Sequence, residues 1–190
     1  MGQIKLLISD FDGTLVDTFE PNFLGYEAAF RAVGMNIDRE IYRKCFGLRF
    51  DRFMDRIGVE SASLRQQIRD LKTEYYPLFF DRLKVNTALL EMIRAHHRGG
   101  GMTAIASTAR VENLKNALEY IGATGDFDII IAGEEVKEGK PSPEIYLTVL
   151  KQAGVKAEEA LIFEDSPVGI EAAKSAKIPY IVITPEFFQR

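Results

Sequence analysis

From Asn86 onward the chain alternates short apolar runs with amphipathic segments, and this alternation constrains its fold more than any other feature. Helical spacing over residues 88–98 stops at Gly99-Gly100-Gly101, and an apolar run covers residues 102–106. Helical patterns over 111–121, 143–153 and 168–176 then interleave with apolar runs at 128–131, 160–163 and 180–183. Near the start, Ile4-Lys5-Leu6-Leu7-Ile8 reads as one more buried strand. Strands that are apolar on both sides and joined by helices pair in parallel, with both faces covered. The expected fold class is therefore α/β: a Rossmann-like parallel sheet core with helices on both faces.

Residues 18–85 have a different texture, with no convincing strand. Phe23, Tyr26, Phe30 and Val33 recur at helical spacing before Gly34. A second helix is expected over residues 49–57, ending at Gly58. A longer, charge-laced helix is expected over 61–83, interrupted near Pro77. This stretch reads as a helical domain, 18–85, inserted into a core made of 1–17 and 86–190.

Ligands of open parallel sheets bind beyond the carboxyl ends of the strands. The first strand ends in Asp10-Phe11-Asp12-Gly13-Thr14. Two carboxylates two residues apart repel unless a cation or a proton intervenes. The pattern asks for a metal ion and an acid/base pair, and phosphoryl transfer suits it best. A calcium loop needs further oxygen ligands and a distal glutamate; the apolar Thr14-Leu15-Val16 does not provide them. Other strand ends carry matching groups: Ser107-Thr108, Gly139-Lys140-Pro141 and Glu164-Asp165-Ser166. Taken singly each has a plainer reading. Ser107 reads as a helix N-cap, Lys140 as a solvated cation, and Glu164-Asp165 as an acidic pair favoured by a helix dipole. Their joint placement at strand ends outweighs those readings.

Composition narrows the partners. Lys plus Arg total 24 against 28 Asp plus Glu, a net charge of −4, whereas a nucleic-acid binder usually shows a basic excess. No apolar stretch approaches the roughly 20 residues of a membrane span. Cys45 is the single cysteine, so no intrachain disulfide forms and a cytoplasmic location is expected. A monomer is the default expectation.

The strings at 10–14, 107, 139–144 and 163–170 together resemble the motifs of the haloacid dehalogenase superfamily, in its β-phosphoglucomutase/phosphoglycolate phosphatase-like branch. The helical insertion resembles that branch's cap. The resemblance implies Mg²⁺-dependent hydrolysis of a small phosphorylated metabolite. Asp10 is then the nucleophile, forming an aspartyl-phosphate, and Asp12 the general acid/base. Asp10 and Asp165 supply side-chain oxygens to the metal and Asp12 its backbone carbonyl, while Glu164 holds a metal-bound water. Ser107 and Lys140 bind the phosphate, with backbone N–H groups of Phe11, Asp12 and Thr108. Dehalogenases and phosphonatases of this fold lack an aspartate at the position of Asp12, so phosphate esters are the expected substrates.

A phosphosugar mutase is the first alternative, although Asn22 stands where such mutases usually carry a histidine. A phosphometabolite- or partner-binding protein without turnover is the alternative of another class. It has no use for Asp12. In the insertion, Arg49, Arg52 and Arg56 share one expected helix face at i, i+3 and i+7. Either they form a solvated face paired with Asp51 and Asp55, or Arg49 contacts a second anionic group of the substrate.

Overall fold

The computed structural model describes residues 3–188. The chain divides into two compact units: residues up to Asp17 together with those from Lys84 onward, and Thr18–Leu83.

The first unit is built on a five-stranded parallel sheet. Its strands are β1 (Leu6–Ser9), β4 (Met102–Ala106), β5 (Ile129–Ile131), β6 (Ala160–Glu164) and β7 (Tyr180–Val182), in the order β5-β4-β1-β6-β7. β1 lies at the centre, with Leu6 opposite Met102 on one side and Ala160 on the other. Helices α5 (Thr87–Arg98), α7 (Glu144–Ala153) and α8 (Pro167–Ser175) pack on the sheet, and α6 (Val111–Tyr120), which buries Leu114, Ala117 and Leu118, joins β4 to β5. Alternate strand residues point to opposite faces. Leu6, Ile8, Ala104, Ala106, Ala160 and Ile162 accordingly share one apolar cluster with Ile145 and Val149 of α7 and Ala172 of α8. Leu7, Ile105 and Phe163 take the other parity and are also buried. Burial on both sides explains why the inner strands β1, β4 and β6 are nearly continuous apolar runs, whereas the edge strand β7 leaves Ile181 and Val182 exposed.

This unit also contains a pairing that no sequence pattern suggested. β2 (Val16–Asp17) and β3 (Lys84–Val85) form a short antiparallel ladder, with Val16 opposite Val85 and Asp17 opposite Lys84. Lys84 and Val85 therefore stand with the sheet unit. Asn86 follows immediately; its N–H donates to the Leu15 carbonyl at 2.9 Å and its Oδ1 caps α5 by accepting from Leu89 N–H at 3.1 Å.

The second unit is helical: α1 (Phe19–Ala32), α2 (Arg39–Arg43), α3 (Phe50–Arg56) and α4 (Ala62–Tyr75). The helix expected over 61–83 breaks after Tyr75, and a 3₁₀ segment, Tyr76–Arg82, takes its place with Pro77 in its first turn. Proline has no N–H for the α-helical ladder, which accounts for the break. The core of this unit is aromatic. Tyr42 packs within 5.5–6.1 Å of the rings of Phe19, Phe23, Tyr26, Phe46 and Phe53, with Met54 and Ile68 filling the space beside them.

The arginine face expected on α3 differs from the one found. Arg49 is the N-cap of α3 and so precedes the helix. Asp51 and Asp55 pair with Arg69 and Arg65 of α4, at 2.9 and 2.6 Å, and not with the arginines of their own helix. Neither aspartate has an arginine at i,i+4 on its own helix, and α4 supplies the partners instead.

Candidate active site

The turn after β1 is where the site begins. Leu15 and Val16 N–H groups both donate to the Phe11 carbonyl, at 3.2 and 3.0 Å, and Gly13 N–H donates to the Val16 carbonyl at 2.8 Å. These bonds curl residues 11–16 back on themselves. Gly13 adopts φ +90°, and a methyl group built on it would overlap the Asp165 carboxylate. Only glycine supplies both the left-handed backbone and the vacant space. Phe11 is 1% exposed and anchors the turn in the core.

Asp10, Glu164 and Asp165 each bring one carboxylate oxygen within 4.8 Å of the others. Lys140 lies among them, its Nζ donating to Asp10 Oδ1 at 2.6 Å and to Glu164 Oε1 at 2.5 Å. The Lys140, Asp10 and Glu164 side chains are 2%, 8% and 0% exposed, so these charges sit in a medium where they interact strongly. Thr14 Oγ1 donates to Asp165 Oδ1 at 2.9 Å. Ser107 Oγ donates to Asp12 Oδ2 at 3.3 Å and accepts from Ala109 N–H at 3.1 Å. The site thus joins Asp10, Asp12, Ser107, Lys140, Glu164 and Asp165, drawn from the ends of β1, β4 and β6 and the loop before α7.

Titration behaviour follows from this crowding. Burial pushes Asp10 well above the usual carboxylate range against the pull of Lys140, and Glu164, Asp165 and Asp12 push the same way. Burial also raises Asp165, to about 6, with Glu164 as the next cause. Burial would lift Glu164 too, but the Lys140 ammonium and hydrogen bonds from Lys140 and Ser166 hold it below its ordinary value. Burial would depress Lys140, yet Asp10 and Glu164 keep it well above the usual lysine range and therefore charged.

The donor set is all carboxylate oxygen, which suits a hard divalent cation such as Mg²⁺. Glu164 is the least available of the three. Its Oε1 accepts from Lys140 and Tyr146, and its Oε2 accepts from the Ser166 N–H and Oγ at 2.8 and 3.0 Å. Asp10 and Asp165 are the residues fit to hold a metal directly.

Some residues stand elsewhere than the sequence suggested. Ser107 is not an N-cap, because α6 begins at Val111 with Arg110 at its cap; it stabilises the turn at Ala109 instead. Glu164 belongs to β6 itself, and Ser166 caps α8. Thr108 follows Ser107, and its carbonyl approaches so closely that Gly133 has no room for a Cβ. Arg49 lies in the helical unit, where its carbonyl accepts from Phe53 N–H at 3.0 Å. Thr14, Tyr146, Ser166 and Gly169 touch the acidic cluster and were given no role by sequence. Thr14 and Ser166 lay inside the quoted strings; Tyr146 lay outside them.

Comparison with known proteins agrees with this geometry. The sequence profile of the haloacid dehalogenase-like hydrolase family matches residues 7–183. A phosphorylated carbohydrates phosphatase of Thermotoga maritima is 30% identical over 94% of this chain and 84% of its own length. Protein CbbY of Cereibacter sphaeroides is 33% identical over 98% of this chain and 86% of its own. A crystal structure of a CbbY variant from Rhodobacter sphaeroides in complex with xylulose-(1,5)-bisphosphate superposes with a TM-score of 0.86 at 29% identity, covering 98% of this chain and 89% of that one. The chain belongs to the haloacid dehalogenase-like hydrolase family and is a phosphoric monoester hydrolase of that family.

Proposed function

We propose that this hydrolase is a Mg²⁺-dependent phosphatase acting on a small phosphorylated sugar or a phosphoglycolate-like acid through an aspartyl-phosphate on Asp10. The observation that carries this reading is the buried Lys140 ammonium bridging Asp10 and Glu164 beside Asp165.

In this reading the Asp10 carboxylate attacks phosphorus and the bond to the leaving oxygen breaks. Asp12, next along the curled turn, gives that oxygen its proton. Asp12 then takes a proton from water, whose oxygen attacks the same phosphorus and releases inorganic phosphate and the Asp10 carboxylate. Lys140 and Ser107 bind the phosphoryl oxygens, together with backbone N–H groups of Phe11, Asp12 and Thr108, where negative charge accumulates. Lys140 also keeps Asp10 close and oriented. Bound Mg²⁺, held by Asp10, Asp165 and the Asp12 carbonyl, would neutralise charge on the phosphoryl group. Glu164 serves chiefly as the counter-ion that holds Lys140.

The substrate class rests on the relatives, one named for phosphorylated carbohydrates and another captured with a sugar bisphosphate. Arg49 is the cation of the helical unit, 18–83, that we assign to a second anionic group of the substrate. Mutase activity is disfavoured because Asn22 carries an amide, which has no proton to relay near neutral pH. We assign the enzyme to the cytoplasm, where the lone buried Cys45 stays reduced; among the described residues no helix is long and apolar enough to cross a membrane.

The test is phosphate release from phosphosugars, sugar bisphosphates and phosphoglycolate, with and without Mg²⁺, beside Asp10→Asn. Release that needs Mg²⁺ and falls at least about 10³-fold in the variant is the expected result. Release that survives Asp10→Asn would remove the aspartyl-phosphate, and silence on every substrate would remove the phosphatase.

A further inference from the structure

Tyr146 lies in the first turn of α7, outside every motif, and its side chain is fully buried. Its hydroxyl donates to Glu164 Oε1 at 3.1 Å. The Lys140 ammonium donates to the same oxygen at 2.5 Å and lies 5.2 Å from the centroid of the Tyr146 ring. Among the described residues Oε1 has these two donors, while Oε2 is tied to Ser166 through its N–H and hydroxyl. A methyl group built on Gly169 would overlap the Glu164 carboxylate, Oε1 first, so the helix backbone closes the socket beside that oxygen.

A carboxylate turns easily about its last torsion, and a lysine ammonium on its flexible stem settles where its acceptors are. Ser166 fixes one oxygen of Glu164. What fixes the other, apart from Lys140 itself, is the Tyr146 hydroxyl. That oxygen in turn decides how the ammonium meets Asp10.

We propose that Tyr146 is a positioning residue for the reaction: its hydroxyl pins Glu164 Oε1, and through it the Lys140 ammonium against Asp10. The inference rests on the phosphatase reading for its kinetic consequence but not for its geometric one. Tyr146→Phe keeps the ring and the packing and removes only the donor, so it separates positioning from core filling.

The experiment compares wild type with Tyr146→Phe by steady-state kinetics, thermal melting, and the ¹H–¹⁵N resonance of the Lys140 ammonium. That resonance is recorded cold on metal-free protein and assigned by its loss in Lys140→Met. The expected result is kcat lower by about tenfold, KM changed less than about twofold, and a melting point within a few degrees. The ammonium resonance shifts and exchanges faster with water. Unchanged kcat with an unchanged resonance would overturn the proposal, as would a variant whose lower activity is wholly accounted for by unfolded protein. If wild type hydrolyses no phosphate ester, the phosphatase reading fails by itself. The ammonium resonance then still decides whether Tyr146 holds Lys140.

Discussion

The two units of this protein are built from different materials. The sheet unit packs aliphatic side chains, Ile8, Ala104, Ile145, Val149 and Ile162 among them, and then buries a polar layer at the strand ends: Ser9, Asp10, Ser107 and Glu164. The helical unit packs rings, and its cations lie over those rings: Arg43 over Phe19, Arg69 over Phe50 and Lys72 over Tyr76, at 4.5, 4.3 and 3.6 Å. Backbone ladders fix the sheet's side chains to within a register, which is what a reacting group needs. Aromatic packing holds the helices together through tilted and edge-to-face ring contacts, and it fixes no side chain to a backbone register. The difference teaches that precision and bulk stability are supplied by different residues here.

The sharpest way to break that comparison is Gly169→Ala. The added methyl displaces the Glu164 carboxylate and, with it, Lys140. Turnover should fall about 100-fold, while circular dichroism and the melting point show a folded protein. A near-normal kcat would mean that the polar layer tolerates displacement.

Phe53→Ala tests the other side. Phe53 is 2% exposed and rings the core with Tyr26, Phe30 and Tyr42. Its loss should cost about 3–5 kcal/mol. Hydrogen exchange should show protection lost across residues 18–83 and kept in β1, β4 and β6. Uniform loss across both units would show that they unfold as one.

The smallest effect concerns Asp165, whose folded-state value near 6 lies above its ordinary 3.8. Between those values the folded state binds more protons than the unfolded one. In the metal-free protein this group therefore withdraws stability as pH rises through that window. A cation needs the ionised form. The rise in melting point caused by Mg²⁺ should accordingly be a few degrees larger at pH 7 than at pH 5, read by differential scanning fluorimetry at matched ionic strength. An equal rise at both pH values would take Asp165 out of the metal site.

How much of this was legible in the sequence depended on distance along the chain. The strands of the sheet unit announced themselves because burial on both faces leaves a local apolar run. Asp10, Lys140, Glu164 and Asp165 could be brought together because each stands at or beyond the carboxyl end of a strand, and in a parallel sheet those ends face the same way. β2 and β3, two residues each, are too short to show any period. α2, at five residues, is likewise below the length at which spacing speaks, though Asp38 caps it by accepting from Glu40 and Ile41 N–H. Thr14 meets Asp165 across 151 residues, and Tyr146 meets Glu164 across 18. Hydroxyl contacts of that kind leave no trace in a single sequence. The ion pairs of Asp51 and Asp55 with α4 were hidden for the same reason, since charge spacing on one helix says nothing of a neighbouring helix.

The short ladder of Val16–Asp17 with Lys84–Val85 has a consequence for how such a chain changes over time. Asp17 and Lys84 face each other as neighbours in a hairpin would. To the sheet, everything between them is one very long turn. Closing a longer turn costs only slowly more, so segments of quite different length and content can be grafted between the same two anchors without disturbing the strand ends. The ladder works as a socket: the chemistry stays put, and what is plugged in can be exchanged.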